Sequence, residues 1–149
     1  MDAKQTLQQI ILAFFDVPIP TVRVAPCPCG ECEGIVVELQ GRKQETLPQA
    51  ETGVFGNTQI HLIAPEAVRY YFPNILSKAF APDEGDFLMD ILYFLGSTSE
   101  NNRGQVSLFD EHQRQAVYQF LLYVQVNRQE EIANYMYEEE LAQALKNWA

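Results

Sequence analysis

The sequence predicts an all-α protein, a single domain over residues 1–149 built as a bundle of five to seven helices with an irregular Pro/Cys-rich loop near the N-terminus. Three observations carry that expectation. Apolar residues recur every three to four positions in successive segments, Pro and Gly separate those segments, and the period-two alternation of a strand is scarce throughout.

The first segment, residues 3–16, sets Leu7, Ile10, Ile11, Phe14 and Phe15 on one helical face and Gln5, Gln8 and Gln9 on the other, and Pro18 and Pro20 stop it. Across residues 17–30 four prolines fix φ and bias their predecessors away from helix, so this stretch reads as extended, irregular chain. Cys32, Ile35, Val36 and Leu39 return to helical spacing, with Gly41 as the stop. The β-branched run Ile35-Val36-Val37 also suits a short strand. Over residues 42–63, Pro48, Gly53 and Gly56 break any long pattern; the expectation is loop, with a turn or two of helix near 47–51.

The strongest helical signal follows, over residues 64–80. Pro65 suits the first helical position, where an N–H would have no acceptor, and Glu66 suits the positive end of the helix dipole. Val68, Tyr71, Phe72, Ile75, Leu76, Ala79 and Phe80 form one apolar face, and Pro73 is expected to kink or divide the helix. Asp86 is expected to cap the next helix, which carries Phe87, Leu88, Ile91, Leu92 and Leu95 and ends at Gly96. Met89, Tyr93 and Phe94 fill its other faces, which predicts the most buried helix. Residues 97–104 are loop by composition. Asp110 and Gln113 make an Asp variant of the capping box ahead of Ala116, Val117, Phe120, Leu121 and Val124. A last helical region holds Ile132, Met136, Leu141, Leu145 and Trp148, with a break expected near 127–130.

Composition narrows the classes of function. A chain that is 47% hydrophobic and 20% charged has ordinary globular usage, which argues against extended disorder. Its formal net charge of -10 sets a mean field that repels phosphate backbones and anionic lipid, so neither nucleic acid nor a membrane is an expected partner. Acid gathers at Glu130, Glu131 and Glu138 to Glu140, and again at Asp83, Glu84 and Asp86. These read either as solvated charge or as a docking surface for a basic protein. No apolar run reaches the ~18–20 residues that span a bilayer. The opening Met1-Asp2-Ala3-Lys4 lacks a basic signal-peptide start, so the cytoplasm is the expected compartment.

Cys27-Pro28-Cys29-Gly30-Glu31-Cys32 is the one constellation that resembles a site. In a reducing compartment three clustered cysteines point to a metal or to redox thiols before a structural disulfide, since an odd number cannot all pair. Three thiolates on a Pro/Gly-shaped loop could converge on one zinc ion; His61 and His112 are the only histidines, His61 is the candidate fourth ligand, and Glu31, Glu33 or water could also complete the shell. Alternatively Cys29 and Cys32 form a reversible disulfide that Cys27 exchanges with, or the thiols stay reduced and only pack.

Other candidates are bland. His61, between Ile60 and Leu62, reads first as a packed side chain, and His112 as an exposed one. Arg69-Tyr70-Tyr71 reads either as an anion or aromatic recognition patch or, more plainly, as an arginine pairing with a carboxylate at a helix crossing; Glu138 to Glu140 are contiguous, which scatters them around a helix instead of pairing them for acid/base work. Gly53-Val54-Phe55-Gly56 lacks the Lys-Ser/Thr of a phosphate loop, and no hydrolase motif is present.

The stretch Leu62-Ile-Ala-Pro-Glu-Ala-Val-Arg-Tyr-Tyr-Phe-Pro-Asn-Ile-Leu resembles a segment reading roughly Leu-Thr-Pro-Glu-Ala-Phe-Arg-Tyr-Tyr-Leu-Pro in an uncharacterised family of small bacterial proteins. That family also has an opening helix and a Cys-x-x-Cys element. The resemblance continues through residues 87–95 and into Phe109-Asp-Glu-His-Gln-Arg-Gln-Ala-Val-Tyr-Gln-Phe-Leu, and Ala64 departs from it where a Ser or Thr cap is usual. It implies a common fold and no particular activity. The functional expectation is therefore an acidic, non-catalytic helical protein that binds a basic protein partner, in the manner of an immunity or antitoxin protein. The alternative is a small zinc-binding or thiol-redox protein built on Cys27, Cys29 and Cys32.

Overall fold

The computed structural model describes residues 2–47, 54–55, 59–97 and 107–149. Among them lie seven α-helices and no strand, so the all-α expectation holds. They are α1 (Ala3–Phe14), α2 (Gly30–Leu39), α3 (Pro65–Ala79), α4 (Gly85–Gly96), α5 (Glu111–Asn127), α6 (Gln129–Tyr135) and α7 (Glu138–Trp148). Short 3₁₀ turns occupy Gln44–Thr46 and Gln59–Leu62. Beyond Leu47 and Ser97, the helical turn expected at 47–51 and the loop expected at 97–104 lie outside the described residues. None of the described helices is long and apolar enough to cross a membrane.

Five helices close a ring: α1 packs on α3, α3 on α4, α4 on α7, α7 on α5, and α5 back on α1. Inside it the buried side chains form one continuous cluster. Phe14, Phe72 and Phe109 meet at centroid distances of 5.1 to 5.6 Å, and Phe109 also lies 5.3 Å from Trp148. Edge-to-face and stacked ring pairs of this kind add about 0.5–1.5 kcal/mol each beyond their area burial. Helix α2 is outside the ring and docks on it through Cys32, Ile35 and Leu39, while Val37 faces water. The Ile35-Val36-Val37 run is thus helical.

Several boundaries follow the expected chemistry. Asp2 and Asp110 each build a capping box, with Gln5 and Gln113 returning the hydrogen bond. Helix α3 starts at Pro65 although Ala64 offers no side-chain cap, and Gly41 stops α2 at φ +78°, a conformation that suits a residue without Cβ. The break near 127–130 falls at Arg128.

Other expectations need correction. Helix α1 buries Thr6, Ile10, Ala13 and Phe14, and leaves Ile11 and Phe15 exposed. Thr6 can be buried because its hydroxyl donates to the Asp2 carbonyl at 2.8 Å, while Leu7 is half-buried. Pro73 does not divide α3. Asp86 is not a cap; its carboxylate accepts the Tyr135 hydroxyl, and the helix begins one residue earlier. Helix α4 is not covered all round, since Tyr93 is exposed. Met136 points outward and ends α6 in the left-handed region, at φ 56°, where its own N–H and that of Tyr137 reach back to Ala133 and Ile132.

Candidate metal centre

The Pro-rich loop before α2 is fastened at several points. The Gln40 side chain, at the end of α2, accepts from the Val24 N–H at 2.9 Å and donates to the Val22 carbonyl at 3.1 Å. The Ala64 N–H bonds to the Val24 carbonyl at 2.8 Å, which ties the same loop to the start of α3. Arg23 pairs with Glu33 of α2 and donates to the Pro26 and Cys27 carbonyls at 3.4 and 3.3 Å. An ion pair this exposed adds little stability. Its effect is positional, because it holds residues 23–27 against the first turn of α2. Tyr71 of α3 anchors the far end of α2, with its buried hydroxyl 2.8 Å from the Leu39 carbonyl and 2.5 Å from that of Arg42. Burial pushes the Tyr71 hydroxyl pKa up to about 12, so it stays a neutral donor.

Cys29 is the N-cap of α2 and Cys32 the third residue of the helix. In place of the usual cap oxygen, Cys29 Sγ accepts the Cys32 N–H at 3.5 Å. Cys27 stands at the surface, Cys29 is half-buried, and Cys32 is fully enclosed. All three sulfurs lie within 4.8 Å of one another. Sulfurs bound about 2.3 Å from one tetrahedral ion sit about 3.8 Å apart, so contraction by about an ångström at most gathers all three on a single ion.

The electrostatics are asymmetric. The Cys32 N–H, the Cys27 and Cys32 thiols and the Glu31 N–H all favour negative charge on Cys29 and hold its thiol below the ordinary value. Burial, then the hydrogen bond and charge of Cys29, push Cys32 up to about 11. A cation between them stabilises both thiolates at once, which a proton on either cannot do.

His61 does not join the sulfur group. It lies on the 3₁₀ turn before α3 with its ring edge-on to Tyr93 and Phe94 of α4, 6.0 and 5.3 Å away, and burial lowers its pKa. The ring belongs to a packing contact, and the expected set of Cys27, Cys29, Cys32 and His61 reduces to three sulfurs. Sequence reasoning missed Arg23 and Gln40, the residues that shape the loop. The one available signal was a cation four residues before Cys27 in a strongly acidic chain.

Fold and site together define a class, an all-α protein with three thiols gathered at a helix N-terminus. Comparison with family models, with curated proteins and with solved structures finds no match in any of the three.

Proposed function

We propose that this protein binds one zinc ion through the thiolates of Cys27, Cys29 and Cys32, and that the ion locks the Pro-rich loop onto α2. The observation that carries the reading is the approach of all three sulfurs to within 4.8 Å on a loop already fastened by Arg23 and Gln40. Three thiolates leave one tetrahedral position for water or a further donor. Protein purified without chelator should carry about one equivalent of zinc, and Cys29→Ser should lose it. Metal analysis that finds wild type and variant equally empty, or equally loaded, removes this reading.

A second role, docking of a basic protein partner, draws its support from α7. Glu138 and Glu139 are exposed in its first turn and add to the acidic exterior. An immunity or antitoxin protein facing a basic toxin is the concrete form. Wild-type bait in an extract of the native host should retain a basic protein that a Glu138→Gln/Glu139→Gln bait retains at least roughly tenfold less. Equal recovery by both, or no basic protein on either, counts against docking there.

A further inference from the structure

We propose that the three-thiol site is gated by oxidation: exchange with a low-molecular-weight disulfide joins Cys29 to Cys32 and thereby releases the ion. The inference rests on the zinc-binding reading and adds to it how the ion leaves.

The geometry selects the pair. Cys29 and Cys32 are cap and third residue of the same helix, so the first turn of α2 fixes their separation, and Cys29 Sγ already points at the Cys32 backbone N–H. Cys27 reaches the group from the loop, across Pro28, and its position depends on the Arg23 contacts to the Pro26 and Cys27 carbonyls. Exposure sets the order. Cys27 is the most exposed of the three, but within the pair Cys32 has no accessible surface, so an outside reagent engages the pair at the half-buried Cys29 sulfur, which caps the helix N-terminus.

The chemistry balances as two successive exchanges. The Cys29 thiolate attacks one sulfur of the disulfide RSSR, the S–S bond breaks, and RS⁻ departs from a Cys29–SR mixed disulfide. The Cys32 thiolate then attacks Cys29 Sγ, forming the Cys29–Cys32 bond and expelling the second RS⁻. Two protein sulfurs are oxidised and one disulfide is reduced to two thiolates. Two of the three donors are gone at that point, and Cys27 alone does not hold the ion.

The test uses the full chain, loaded with zinc under reducing conditions, freed of reductant and mixed with excess oxidised glutathione. Released zinc is read with a chromogenic chelator, and intact mass is read after alkylation of free thiols. Nearly complete zinc release is expected, together with one intrachain disulfide and a third cysteine that is either alkylated or carries one glutathione; dithiothreitol should restore zinc uptake. The chain has three cysteines, so Cys27→Ser leaves Cys29 and Cys32 as the sole pair, and it should still lose the mass of two hydrogens. Cys27 is exposed, which keeps that variant folded. Cys29→Ser should form no intrachain disulfide by this route. Zinc retained in the presence of oxidised glutathione overturns the gate while leaving zinc binding intact, and so does release with only a glutathione adduct, or a disulfide lost in Cys27→Ser. A chain that takes up no zinc at all removes the binding reading and the gate together.

Discussion

Gly96 ends α4 where α7 crosses it, and a Cβ built there would lie 2.8 Å from the Glu140 carbonyl oxygen and 3.4 Å from the Ala144 backbone N. The glycine is required for close approach between two helices, since its φ is not left-handed. Backbone cannot swing aside as a flexible side chain can. Gly96→Ala should therefore destabilise the protein by about 1–3 kcal/mol through overpacking, reduced by up to ~1 kcal/mol of alanine's helix preference. Gly34, inside α2, has nothing within 4 Å of a built Cβ, and the same substitution there should gain about 0.5–1 kcal/mol. Denaturant melts of the two variants check the contrast; shifts of the same sign would show that helix propensity, and not the α4–α7 contact, governs Gly96.

At the scale of elements, the sequence exposes those features that depend on near neighbours. The Asp110–Gln113 box, Pro65 at the start of α3 and the break at Arg128 are all written within a few positions, and each is where the pattern puts it. The inward face of α5, Ala116 through Val124, is likewise as spaced. Faces become illegible when a polar residue is satisfied locally. Thr6, back-bonded to Asp2, is buried in α1 while Ile11 is exposed, and no count of apolar residues reveals that face. Long-range polar contacts are hidden for the same reason: Asp86 resembles a cap until the Tyr135 hydroxyl, 49 residues on, claims its carboxylate. The candidate site divides the same way. Three sulfurs within six residues had to stay close, whereas the placement of His61 depended on which way a 3₁₀ turn faced, and it faces α4.

At the scale of the whole molecule, a ring of helices must be closed by groups that meet from distant parts of the chain, and Gln113 is one such group. It is almost completely buried in the first turn of α5. Its Nε2 donates at 3.2 Å to the Ala13 carbonyl, one of the last-turn acceptors of α1 that has no intrahelical donor. Its Oε1 accepts from Arg69 Nε of α3 and from the Asp110 N–H, both at 3.1 Å, so both acceptor sites of that oxygen are filled. One side chain thus joins three helices, across 100 residues of sequence to α1 and 44 to α3. Burying a polar amide is tolerable only with such partners, and removing the amide strands the groups it served. Gln113→Leu keeps the volume and deletes the bonds; leaving a buried carbonyl and a guanidinium N–H unpaired should lower stability by about 2–4 kcal/mol. Gln115→Leu, on the exposed side of the same helix, should change it by less than about 0.5 kcal/mol. Urea unfolding of both variants decides the matter: comparable midpoints would mean that apolar packing alone closes the ring between α1 and α5.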